Sequence, residues 1–220
     1  MATTIRTKIE IIPGKNKDAF RPTLKKIEKD ITPDNAPFLS ISFNKISPRP
    51  KYLVRGTKEE DDWLLSNWGT RMEPVSASWI TDNEMLMDTS TSVPIPIFRK
   101  LVETFKDVNF KFYFTDYSKV GKCSGKAYSE NGELKVILYK DYSIDAFENA
   151  FIVRPYEKTC YNKDETNNTY RYDVSDFITC VNNKGFYKGI DGTYLVGNDD
   201  KNKPIYATIA QIKACQDLPF

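Results

Sequence analysis

The sequence predicts an α+β protein: a ferredoxin-like antiparallel sheet with helices on one face, an added hairpin and a C-terminal elaboration. Three observations carry this. Short β-branched or aromatic runs with period-two alternation interleave with two stretches of helical spacing, in the order strand, helix, strand, insertion, strand, helix, strand. The 13 Tyr, 13 Phe and 3 Trp favour pleated, aromatic packing over a helical bundle. Asn131-Gly132, between two alternating runs, is a strong hairpin signal.

Residues 4–12, Thr-Ile-Arg-Thr-Lys-Ile-Glu-Ile-Ile, alternate as a half-buried strand that Pro13-Gly14 ends. Phe20, Leu24 and Ile27 then form an apolar stripe over a helix from Lys17 to Asp30. After the turn cluster Thr32–Asn35, the run Phe38–Phe43 reads as a second strand. Pro48-Arg-Pro50 makes an extended connection. The acids Glu59 to Asp62 suit the first turn of a short helix leading into Trp63.

Glu84–Asp88 reads as a strand, and Ser92–Thr104 as a helix with Ile97, Leu101 and Phe105 on one face. Asn109–Tyr117 is the clearest alternating strand, and 127–130 with 133–139 form the hairpin. This places a domain over 1–145 with an insertion at about 45–80. Residues 146–220 form a C-terminal elaboration or small α+β subdomain: a polar connection over Tyr156–Tyr172, turns over 183–192 and a closing element over Ile205–Cys215.

The chain has 32 basic and 30 acidic residues, so no whole-protein field draws it to nucleic acid or anionic membrane. No apolar run approaches membrane-spanning length, and the N-terminus lacks the apolar segment of a signal peptide, so the expectation is a cytoplasmic protein. Cys123, Cys160, Cys180 and Cys215 form no C-x-x-C pair and read as scattered reduced thiols. There is no histidine. That removes Ser-His-Asp and Cys-His catalysis and the usual proton shuttle at neutral pH. The phosphate-loop, dinucleotide and nucleophile-elbow motifs are absent from the sequence. No catalytic residue, cofactor or metal is expected, and any cryptic enzyme would rest on Lys, Tyr and carboxylates.

The sharpest constellation is Trp63-Leu-Leu-Ser-Asn-Trp-Gly-Thr-Arg71. As a binding site it would offer Trp63, Asn67, Trp68 and Arg71, with Arg49 beside them, because Trp and Arg dominate binding hot spots. As structure, the tryptophans would pack the insertion onto the sheet and Gly69 would make a turn. Tyr113, alternating with Phe110, Phe112 and Phe114, is a candidate for base stacking on the open face; the phenylalanines suit the helix-covered face. Clusters Arg49, Lys51, Arg55 and Lys119, Lys122, Lys126 read as solvated surface or as a phosphate-tracking groove.

Several of these blocks occur together in a known order: Phe43-Asn-Lys-Ile-Ser-Pro-Arg-Pro50, Trp63 with Asn67-Trp-Gly-Thr-Arg71, Asp88 to Pro96, and Phe110-Lys-Phe-Tyr113 followed by Gly125 and Asn131-Gly-Glu133. Over about residues 4–140 the chain resembles an uncharacterised phage- and plasmid-borne accessory family with a ferredoxin-like domain, first noted in an aphid-endosymbiont phage. Arg71 stands where that family tends to have Lys, and Thr89-Ser-Thr-Ser-Val-Pro94 lacks its tryptophan. The resemblance implies a mobile-element accessory protein in a bacterial host cytoplasm and no reaction. The leading expectation is a non-enzymatic protein that binds a host macromolecule, a host protein first, and inhibits a bacterial defence system. The alternatives are a nucleic-acid-binding module and a small-molecule or nucleotide-sequestering protein.

Overall fold

The computed structural model describes residues 4–34, 39–130, 132–155, 158, 161–164, 166, 169–172, 194–198 and 204–207. The chain divides into two units, Met1–Val153 and Arg154–Phe220.

In the first unit, β1 (Thr4–Pro13) alternates as its sequence demands, with Ile5, Thr7, Ile9 and Ile11 buried on one side. Helix α1 (Phe20–Ile31) buries Thr23, Ile27 and Ile31. The segment read as a second strand is not one: among its described residues it makes an isolated parallel bridge, Leu39 to Ala77, and Phe43 opens the short helix α2 (Phe43–Ile46). Ser42 explains the switch, because its side chain caps that helix, accepting from the amide of Lys45. Helix α3 (Lys58–Asn67) follows, capped by Thr57 and with Glu59, Glu60 and Asp61 in its first turn.

The second strand of the sheet is instead β2 (Ser76–Thr81), on the far side of the insertion. It is a poorly patterned edge strand with Ala77 its fully buried apolar residue. Then come β3 (Glu84–Ser90), α4 (Ile95–Thr104), β4 (Val108–Asp116), β5 (Gly125–Glu130), β6 (Glu133–Leu138) and α5 (Ile144–Val153). The sheet runs β2-β3-β1-β4-β5-β6, and each of its ladders is antiparallel. The class is α+β.

Register sorts the residues by face. Thr7 lies opposite Met87 and Phe114, and Ile9 opposite Met85 and Phe112, so these share the helix-covered side. Phe98 of α4 stacks on Phe112 with ring centroids 4.1 Å apart, and Phe110 stacks on Phe112 at 5.7 Å. On the other face, the charged residues of β1 pair with carboxylates of β1 and β3. Arg6 donates to both oxygens of Asp88, at 2.8 and 2.7 Å, and its guanidinium lies 4.2 Å over the ring of Tyr117. Lys8 bridges Glu10 and Glu84 at 3.0 and 3.1 Å. Burial alone would lower its pKa, but the bonds to the two carboxylates outweigh that and hold the ammonium above its usual range.

Helix α5 lies beyond the expected boundary near 145, yet it belongs to the first unit. It packs on β4, and its buried Asn149 donates from Nδ2 to the carbonyls of Phe114 and Gly125 and to the Ser124 hydroxyl, at 2.8–3.0 Å. In the second unit, β7 (Tyr161–Asp164) pairs with β8 (Thr169–Tyr172), and β9 (Tyr194–Asn198) with β10 (Pro204–Ala207). The polar connection over 156–172 thus holds a short ladder. The turn signals at 183–192 and most of the closing element lie outside the described residues. No helix among the described residues is long and apolar enough to cross a membrane.

Phe112→Ala removes the ring sandwiched by Phe98 and Phe110. It is expected to cost about 3–5 kcal/mol of stability, read by denaturant unfolding.

Candidate functional site

The insertion between α1 and β2 is tied down by two carboxylates. Glu73 accepts from the Ser42 hydroxyl at 3.0 Å and from the amides of Phe43 and Asn44 at 2.6 and 2.9 Å, which fixes the start of α2. Glu60, only 8% exposed, accepts from Arg49 Nη1 at 2.5 Å and from the Gly56 amide at 2.6 Å. Arg49 also donates to the Leu53 carbonyl at 2.9 Å. Arg49, expected at a binding surface, therefore closes a loop onto α3: the extended Pro48–Pro50 segment aims it back at the helix.

Trp68 requires a second correction. It is 5% exposed, not an open anchor. Its indole N–H donates to the Ser47 carbonyl at 2.8 Å, and its ring meets Phe43 and Trp63 edge-on at 5.9 and 6.0 Å. Trp63 is itself half-buried against the core. Asn67 donates from Nδ2 to the Trp63 carbonyl at 2.9 Å. Gly69 then reverses the chain at φ +78°, its amide bonding back to Leu64 and Leu65 as a helix C-cap. A Cβ there would sit 2.7 Å from Pro96 Cδ. Thr70 is fully buried, donating to the Ser90 carbonyl at 2.8 Å, and the Ser92 hydroxyl donates to the Gly69 carbonyl at 2.5 Å. The Asn-Trp-Gly-Thr block thus bolts α3 to the segment leading into α4.

Outside this block the surface is different. Arg71 is exposed and reaches Asp61 at 3.5 Å. Tyr52, Val54, Leu65, Met72 and Val75 are exposed at 79, 66, 40, 50 and 61%. These apolar side chains were not singled out by the sequence; singly they look like ordinary loop residues, and only their shared place on one insertion distinguishes them. Tyr113 lies on the face of the sheet away from the helices, opposite Lys8. Burial, with help from Glu10 and against Lys8, raises its phenol above the usual range.

Cys123, the cysteine among the described residues, is not set up as a nucleophile. Burial, Asp141 and Asp116 push the Cys123 thiol up despite Lys122, so the thiolate is disfavoured. Among the described residues no group of acids and thiols gathers as a metal site. A groove of about 500 Å³ lies between α1 and the β2–β3 turn, with Phe20, Leu24 and Trp79 in its lining and Arg21 and Lys25 among the charged residues. The buried Trp79 indole N–H has no hydrogen-bond partner among the described residues.

No family model matches this chain, and no curated protein does. Among solved structures it is similar to a protein api92 from Yersinia pseudotuberculosis, of the DUF1281 family, at 14% identity and a TM-score of 0.28. That similarity covers 40% of this chain and 32% of the other.

The geometry separates fastening from surface by mutation. Gly69→Ala forces a side chain into Pro96 at a left-handed backbone position and is expected to cost about 1–3 kcal/mol. Arg71→Ala, removing one exposed ion pair, should stay within about 0.5 kcal/mol of the parent. Thermal unfolding of the two variants reads both.

Proposed function

We propose that the protein is a non-enzymatic accessory protein of a phage or other mobile element. It works in the bacterial cytoplasm, binds a host protein and inhibits a defence system through it. The observation that carries this reading is the insertion: a segment fastened by Glu60, Glu73 and Trp68 holds Tyr52, Val54, Leu65, Met72 and Arg71 exposed. Apolar side chains held on a fixed frame bind with little ordering cost, and an Arg among them supplies orientation. The lineage rests on the sequence resemblance, and the absence of histidine favours binding over catalysis. The reading takes the β-α-β-β-α-β succession from β1 to β4 as a ferredoxin-like frame. That frame hosts many activities, so the weight lies on the insertion.

Nucleic-acid binding has less support, because Arg6 and Lys8 on the polar sheet face are already paired to carboxylates. The Trp79 groove favours small-molecule sequestration as a second reading. It would show as a large thermal shift with one member of a metabolite library.

The direct test is a tagged pull-down from a bacterial host, with and without nuclease, comparing the parent with Leu65→Asp and Met72→Asp. A host protein recovered in stoichiometric amount, resistant to nuclease and lost in variants of unchanged melting temperature, is the expected result. Recovery indifferent to both substitutions would remove the insertion as the binding surface. Nucleic acid alone, lost with nuclease and with rising salt, would replace the reading.

A further inference from the structure

The two edges of the sheet are built differently. At β2 the ladder is interrupted by a bulge between Trp79 and Thr81, and Leu39 lies along the strand, with the Ser40 amide donating to the Ala77 carbonyl at 3.1 Å. Bulges and covering segments are the usual protection of a sheet edge against pairing with another chain. At β6 neither is present among the described residues, and its lysine, Lys135, is ion-paired to Glu130 within its own hairpin.

The register of β6 shows which backbone groups its edge presents. Glu130 lies opposite Glu133 across the turn, and in a two-residue hairpin that pair is hydrogen-bonded. Bonding alternates from there, so Glu133, Lys135 and Ile137 turn their amides and carbonyls to β5. The Tyr139 amide, donating to the Ser124 carbonyl at 3.0 Å, keeps the same phase. The N–H and C=O groups of Leu134, Val136 and Leu138 therefore point outward. Among the described residues β6 ends the sheet.

The side chains of these three residues share the helix-covered face, since Val136 lies opposite Ala127 and Ala127 opposite Phe112. Leu134 packs against the core, but Val136 and Leu138 are 39% and 73% exposed. An apolar strand is left half covered, with its outward donors and acceptors in one row.

We propose that β6 is a homodimer seam: two copies pair their β6 strands antiparallel about a two-fold axis through Val136, making one continuous sheet. The register follows from the row itself. With the axis at Val136, Val136 faces Val136 of the second copy and Leu134 faces its Leu138. All three outward residues of each strand are then used, in about six hydrogen bonds. An axis at Lys135 would use fewer of them and set Lys135 against Lys135, a like-charge pair. An axis at Ile137 leaves Leu134 outside the pairing. At Val136 no like charges stand directly opposite: Glu133 meets Tyr139 and Lys135 meets Ile137. Leu138, uncovered in one chain, gains Leu134 of the other copy as its neighbour. The strand is complementary to itself, which is what an isologous interface requires.

Analytical ultracentrifugation of the full chain tests the seam. The parent is expected to show a concentration-dependent monomer–dimer equilibrium. Val136→Pro removes an outward N–H while leaving the bonds to β5 intact, so it should weaken dimerisation at least about tenfold with little change in circular dichroism. Leu138→Lys, at an exposed side chain, should do the same and decides the matter if the proline variant misfolds. Val136→Cys should cross-link to itself under mild oxidation well above the parent background, whereas Leu134→Cys, set opposite Leu138, should not. A parent chain that stays monomeric at about 100 µM would overturn the proposal. So would a dimer undiminished by Leu138→Lys.

Discussion

The arrangement between α1 and α4 depends on burying Trp68. A tryptophan excludes much apolar surface from water but carries one N–H that must be satisfied. The Ser47 carbonyl supplies the partner, and Phe43 and Trp63 supply edge-on contacts. Satisfying that one residue fixes α2 and the end of α3 relative to each other. It also fixes the point where the chain turns at Gly69 toward Thr70 and Ser92. The two carboxylate clamps, Glu60 and Glu73, finish what Trp68 begins. Each is satisfied by several donors, so neither is a stranded buried charge. The exposed side chains of the insertion inherit their positions from this interior.

The sheet works by the same division between a dry face and a paired one. On the dry face, phenylalanines of β4 stack on each other and on α4. On the other face, ion pairs run across neighbouring strands, Arg6 to Asp88 and Lys8 to Glu84. Cross-strand pairs of opposite charge support a register in which a one-residue slip would exchange the two faces. That pairing occupies Arg6 and Lys8, two cations that would otherwise offer phosphate contacts.

Strong periodicity made much of this legible in the sequence. The alternation of residues 4–12, the stripe of Phe20, Leu24 and Ile27, the run 109–117 and the Asn131-Gly132 hairpin all appear in the structure near the expected bounds. The second strand was misplaced for a local reason. Phe38–Phe43 is apolar enough for a strand, but Ser42 and Glu73 together satisfy the first amides of a helix there. The true strand, Ser76–Thr81, lies at an edge, has little apolar alternation and was not readable by period. For the site, the motif itself was visible but its orientation was not. Whether Trp68 is an anchor or a bolt depends on a carbonyl 21 residues earlier, at Ser47. Arg49 was ambiguous in the same way until Glu60 was placed beside it. The exposed apolar residues carried no signal at all, because exposure is a property of the fold and not of a leucine or methionine.

The central claim is that the insertion is part of the folded core and not a loop laid over it. Native-state hydrogen exchange tests it most directly, through the amides of Trp68 and Gly69, which bond back to Leu64 and Leu65, compared with amides of the central strand β1. The account predicts that both sets open with the same free energy, that of global unfolding. Exchange at Trp68 and Gly69 with a protection factor lower by about two orders of magnitude or more would mean that the insertion opens by itself, and would contradict it.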